Sequence, residues 1–163
     1  MSEVYRFNSF DEAMEAVTWG GWNLEYVRPD LQTPEMALEA VKGRGWNLQH
    51  VRPDLQTPEL ALGAVKGRGW NLQHVRPDLI TPELAMIAIK EFGSNLRYVP
   101  EHLITPEMAL RAVTCRGGNL EFIPAHLQTQ EVIEIALKDD PDNSKYIKTK
   151  GLMMEALEEA LGE

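Results

Sequence analysis

Three tryptophans recur at a fixed interval, Trp22, Trp46 and Trp70. Basic side chains recur beside them: Lys42 with Arg44, Lys66 with Arg68, then Arg52 and Arg76 a few residues on. Indole, guanidinium and ammonium groups in alternation suit recognition. Arg and Trp dominate the energetics of protein interfaces, because each offers a large, rigid contact surface and Arg adds planar charge. The same pair stacks on bases or clasps anionic groups. These nine residues are the candidate partner-binding surface. The ordinary roles weigh against them, since Trp usually packs and Lys or Arg on a turn is usually solvated. The Trp column helps to decide, because its fourth and fifth members are Ser94 and Gly118. Truncating a Trp in a core costs roughly 3–5 kcal/mol. A column that accepts Ser and Gly is therefore expected at an edge, partly exposed.

Other groups that could do chemistry fall into bland patterns. His50 and His74 share a column with Tyr26, Tyr98, Phe122 and Tyr146, all ring-shaped, which predicts a half-buried packing slot. No Cys or carboxylate flanks the two His in a ligand pattern, so no metal is expected there. His102 and His126 occupy a different column, expected to be exposed. The ladder Glu35, Glu59, Glu83, Glu107 and Glu131 is explained by helix N-terminal stabilisation. The acidic run "DDPDN" at 139–143 lacks the downstream Gly and Glu of a calcium loop. The single cysteine, Cys115, cannot form an internal disulfide and has no catalytic partners. No catalytic residue, metal site or cofactor is expected, and exact repeats rarely assemble the unlike groups that an enzyme needs.

The interval is 24 residues. Residues 31–54 and 55–78 differ only at Met36/Leu60 and Glu39/Gly63. The frame continues through 79–102 and 103–126, with diverged units at 7–30 and 127–150. Within each unit Thr33, Thr57, Thr81, Thr105 and Thr129, with Ser9, precede Pro-Glu or its equivalent. Thr as N-cap, Pro in the first turn and Glu beside it predict a helix start. A mostly apolar helix of about ten residues comes next, of the kind sandwiched between neighbours. Gly45, Gly69, Gly93 and Gly117 are expected to stop it as C-cap glycines. Asn23, Asn47, Asn71, Asn95, Asn119 and Asn143 are then expected to N-cap a second, shorter helix that ends at proline. Such units are too short to stand alone and bury a core only when stacked. The expected fold is all-α: an α-solenoid of about six helix–turn–helix repeats forming one domain over 1–163, with polar capping ends and a final capping helix over 151–162. The column Glu12, Met36, Leu60, Leu84, Met108, Val132 is expected to face the preceding unit. Met14, Leu38, Leu62, Met86, Leu110, Glu134 should face the following one.

The formal charge of −9 resides at the ends. The four central units sum to 0, +1, −1 and 0, against −4 for residues 1–30 and −5 for 127–163. A nucleic-acid mimic would instead line its body with carboxylates, and the body is not basic enough to hold a long phosphate backbone unaided. No apolar run approaches the roughly 18–20 residues of a membrane span. The N-terminal residues show no secretory pattern. With one cysteine, a cytoplasmic location is the expectation.

The unit "TPEMALEAVKGRGWNLQHVRPDL" resembles a family of short α-helical repeats of unknown function, found as tandem arrays in bacterial and protist proteins. The resemblance rests on Glu35, Ala40, Val41, Lys42, Gly45, Leu48, His50 and Val51 and their copies, and covers nearly all of residues 9–150. The chain departs from it in its 24-residue unit, its Trp and its Thr-Pro cap. The resemblance implies a helical repeat fold and transfers no catalytic residue. The expected function is a non-enzymatic scaffold that binds another protein through its Trp/Arg/Lys ladder. Two alternatives stay open. One is a nucleic-acid-linked role, as a single-strand binder or an inhibitor of a nucleic-acid-handling system. The other is a purely structural or designed array.

Overall fold

Each α-helix begins where a threonine or serine hydroxyl can take up an orphan backbone N–H. The Thr33 side chain accepts from Met36 N, Thr57 from Leu60 N, Thr81 from Leu84 N, Thr105 from Met108 N and Thr129 from Val132 N. Ser9 does the same for Glu12 N. Each such cap stabilises its helix by about 1 kcal/mol. The computed structural model describes residues 5–7, 9–149 and 151. It holds helices α1 (Phe10–Gly20), α2 (Pro34–Gly43), α3 (Pro58–Gly67), α4 (Pro82–Glu91), α5 (Pro106–Cys115) and α6 (Gln130–Asp139). The described residues form no strand, and the fold class is the all-α repeat solenoid that the periodicity predicts. The helix expected over 151–162 lies outside the described residues, apart from Gly151.

The second element differs from the expectation. It is a six-residue 3-10 helix, Gly45–His50 in the second repeat, with counterparts Gly69–His74, Gly93–Tyr98, Gly117–Phe122 and Pro141–Tyr146. A further single 3-10 turn comes after it, as at Pro53–Leu55, so the proline opens a turn as well as closing one. Runs of 3-10 geometry beyond three or four residues are uncommon and need outside support. The Asn column supplies it. Asn47, the third residue of its 3-10 helix, does not cap that helix. Its Nδ2 donates back to the carbonyl of Ala40 in the last turn of α2 at 2.9 Å, a second bond to an oxygen that also accepts from Arg44 N. Asn71, Asn95, Asn119 and Asn143 bond Ala64, Ala88, Ala112 and Ala136 in the same way.

The glycines correct a second expectation. The helices end on residues such as Arg44 and Arg116, whose backbones are extended (φ −151° and −165°), so no left-handed C-cap is formed. Gly45 is needed for close approach instead: a Cβ there would sit 2.7 Å from Asn71 Nδ2 and 2.9 Å from the Ala64 carbonyl oxygen in the next repeat. At Gly117 a Cβ would sit 2.7 Å from both the Ala136 carbonyl oxygen and Asn143 Nδ2.

The chain divides into two compact units, Met1–Ile80 and Thr81–Glu163. In the first, α1, α2 and α3 stack in order, and their 3-10 helices stack as a second layer. In the second, α4, α5 and α6 do the same. Within both units each 3-10 helix also packs on the α-helix of the following repeat. The core between layers is small-residue and aliphatic. Ala37, Ala40, Ala61, Ala64, Ala109 and Ala112 are fully buried, beside Val41, Leu48, Leu72, Val113 and Leu120. Of the two expected stacking columns, Met36, Leu60, Leu84, Met108 and Val132 are buried, while Glu12 is exposed. The other column is only half covered: Leu38, Met86 and Leu110 are partly exposed and Leu62 is exposed. The alanines take the inner positions, and this column is left at the rim.

A glutamine latch joins successive repeats. Gln32 Nε2 donates to the His50 carbonyl at 2.8 Å, and its Oε1 accepts from Arg52 N at 2.9 Å. Gln56 repeats this with His74 and Arg76, and Gln128 with Tyr146 and Lys148. In the sequence the same column reads Ile at Ile80 and Ile104, and the residues 20 positions later, Pro100 and Pro124, have no N–H to donate. Glutamine is kept where a backbone donor exists to meet it, because a buried, unmet amide oxygen costs more than an aliphatic side chain.

Candidate functional site

Consecutive repeats in the first unit leave a cleft between α2, α3 and the turns that come after them. Its volume is about 690 Å³, and Lys42, Arg44, Trp46, Arg68 and Trp70 line it. Five of the nine sequence-predicted residues therefore meet on one concave surface. The expected edge position of the Trp column is observed: Trp70 is 41% exposed and Trp46 half-buried. Each indole meets the ring one helical turn on edge-first, Trp46 against His50 at 5.8 Å between centroids and Trp70 against His74 at 6.4 Å. Such T-shaped pairs orient the indole.

The cations of the cleft differ in their commitments. Lys42 Nζ lies 3.5 Å from Glu39 Oε1, an exposed pair of little energetic weight. Among the described residues Arg44 and Arg68 make no ion pair or side-chain hydrogen bond. Lys66 is exposed but does not line the cleft. The side chain of Trp22 lies outside the described residues.

Arg52 and Arg76 belong to a different site. Each guanidinium closes in two parallel bonds on the carboxylate two residues on, Arg52 with Asp54 at 3.0 and 2.7 Å and Arg76 with Asp78 at the same distances. Each also donates to the proline carbonyl of the preceding repeat, Pro29 at 3.1 Å and Pro53 at 2.8 Å. With their donors used inside the fold, they act as inter-repeat ties beside the glutamine latch.

Sequence reasoning missed the floor of the cleft: Leu38, Val41, Leu60 and Gly63, with Glu59 in the wall. Gly63 is the informative one. It sits inside α3, where glycine costs about 0.5–1 kcal/mol relative to alanine. A Cβ at Gly63 would meet nothing within 4 Å, and its φ lies outside the left-handed region, so neither packing nor backbone geometry demands glycine. The signal was in the sequence, because Glu39/Gly63 is one of only two differences between the near-identical repeats.

The remaining polar groups do structural work. All six ring-column side chains are half-buried, and His102 and His126 are exposed, as expected. Desolvation holds His50 below the ordinary imidazole value, partly countered by Glu25. Desolvation, then the neighbouring His50, lowers His74. His50 Nε2 is buried and has no hydrogen-bond partner among the described residues. Glu35 and Glu83 are held below the usual carboxylate range, first by their own backbone N–H and second by the Thr33 or Thr81 hydroxyl, as helix-start carboxylates should be. In the run "DDPDN", Asp140 accepts from Asp142 N at 2.9 Å and Asp139 from Gly117 N at 2.8 Å. Cys115 is exposed. Among the described residues no three His, Cys, Asp or Glu gather to hold a metal ion, and no helix is long and apolar enough to cross a membrane. Comparison of the chain with protein-family models, with curated proteins and with solved structures gave no match.

Proposed function

We propose that the chain is a non-enzymatic binding scaffold that recognises another protein through the cleft of α2 and α3. One observation carries this reading: two unpaired guanidinium groups and two edge-anchored indoles from successive repeats line a single concavity. Exposed Trp with free Arg around a water-accessible hollow is the composition in which interface energy concentrates. The ladder is a local device, because Ser94 and Gly118 replace the Trp in the later repeats. The resemblance of the unit to short helical repeats of unknown function is part of the same reading, in which the repeats are the frame and the cleft residues the tool.

The test is capture from a nuclease-treated lysate of source cells. The full chain is compared with the variant Arg44→Ala/Trp46→Ala/Arg68→Ala/Trp70→Ala, after circular dichroism shows that the variant is folded. A protein retained by the parent chain and lost by the variant is the expected result. Equal recovery from both would return the Trp column to packing.

A further inference from the structure

We infer that the cleft takes an acidic peptide segment with carboxylates on two alternate residues, one for each of Arg44 and Arg68, and an apolar side chain on the same face. This rests on the scaffold reading above and names the chemistry of the partner.

Three observations converge on it. First, Arg44 and Arg68 are uncommitted, although the same fold ties the neighbouring Arg52 and Arg76 into bidentate pairs with Asp54 and Asp78. A guanidinium left free at a concave surface is a ready receptor for a carboxylate, which it can hold through two parallel bonds. Second, glycine at 63 strips one side chain from the cleft floor with no packing reason. In the preceding repeat the same position holds Glu39, a carboxylate. The exchange of Glu for Gly removes both bulk and negative charge from the surface where an acidic segment would lie. Third, the spacing fits. Packed helices sit roughly 8–10 Å apart, and alternate residues of an extended peptide point the same way about 7 Å apart. Two carboxylates on alternate residues therefore reach both guanidinium groups, given the length of the Glu and Arg side chains. An apolar side chain near them meets the surface of Leu38, Leu60 and Trp46.

A nucleic-acid strand fits less well. Glu59 stands in the wall and Glu39 lies against Lys42, so a chain of closely spaced phosphates meets carboxylates as well as cations. A peptide places its two charges and leaves the rest neutral.

The experiment pans a phage-displayed library of random twelve-residue peptides against the full chain, and measures dT12 binding in parallel by fluorescence anisotropy. The expected result is enrichment of sequences with Asp or Glu on two alternate residues and an apolar residue two positions from one of them. Synthetic copies should lose at least tenfold in affinity with Arg44→Ala/Arg68→Ala, and as much with Gly63→Glu. The second variant restores the residue that position 39 carries in a nearly identical repeat, so its fold is retained and its effect is one of charge and space. Neutral or basic peptides that depend on Trp46 and Trp70 would overturn the acidic assignment and leave the scaffold reading standing. Peptides that survive substitution of both the Arg and the Trp pairs would overturn both. No enrichment, acidic peptides indifferent to Gly63→Glu, or dT12 bound more tightly than any peptide would each overturn the inference.

Discussion

Replacing Gln56 by isoleucine copies what the chain itself does at Ile104, but without the proline that accompanies it. Gln56 donates to the His74 carbonyl at 3.1 Å and accepts from Arg76 N at 3.0 Å. The substitution leaves the Arg76 N–H without its acceptor, a loss of about 1–3 kcal/mol for a buried donor, and weakens the carbonyl's pairing by about 0.5–1.5 kcal/mol. Burial of the larger apolar side chain returns about 1 kcal/mol. The expected net destabilisation is about 2 kcal/mol. Arg76→Pro removes the stranded N–H. The backbone already suits it: φ is −56° at Arg76, and Val75 before it is extended. Alone, Arg76→Pro should also destabilise, because it strands the Gln56 amide oxygen and removes the guanidinium tie to Asp78 and the Pro53 carbonyl, the second loss being common to both arms of the cycle. Together the two changes should cost less than their sum, with a coupling of about 1–2 kcal/mol. Urea titration monitored by far-UV circular dichroism measures all four corners of the cycle, with unchanged m-values required for the comparison. Additivity within about 0.5 kcal/mol would refute the reasoning that the donor's presence selects glutamine.

Two more outcomes are expected from the same structure. Gly45→Ala should destabilise by more than 1 kcal/mol, because its Cβ would sit 2.7 Å from Asn71 Nδ2, whereas Gly63→Ala, with open space at its Cβ, should stabilise by about 0.5–1 kcal/mol in the same urea assay. Stability should also fall in mild acid. His50 and His74 are held below their unfolded value of about 6.5, so the folded chain refuses protons that the unfolded chain accepts. Their contribution is fully present above about pH 6.5 and is lost as pH falls towards the folded values. Urea midpoints measured from pH 8 to pH 5 should show the decline, and His50→Phe/His74→Phe should flatten it.

The sequence carried the period, the helix starts and the edge position of the Trp column, because each rests on local chemistry repeated several times. Thr33 caps its helix for reasons contained within four residues. The features that could not be read depended on contacts made across a chain reversal or with the neighbouring repeat. Asn47 looks like a cap for the short helix it opens, yet it bonds the Ala40 carbonyl seven residues back, because the chain reverses between them. Gly45 looks like a left-handed stop, yet its constraint comes from Ala64 and Asn71. Arg52 and Arg44 look equivalent as exposed cations, and only the position of Asp54 and Pro29 separates the tie from the free group. The alternation of Gln with Ile against Arg or Lys with Pro was present in the sequence columns. It acquired meaning once the Gln56 oxygen was seen to meet the Arg76 N–H.

The most direct test of the proposed binding cleft is a ¹⁵N spectrum of the indole N–H signals while the captured partner, or its tightest peptide, is titrated in. Trp19 is 87% exposed and does not line the cleft, so it serves as an internal control. The signals of Trp46 and Trp70 should shift or broaden together at constant Trp19. Movement of Trp19 with Trp46 and Trp70 unmoved would contradict the assignment of the cleft as the binding surface.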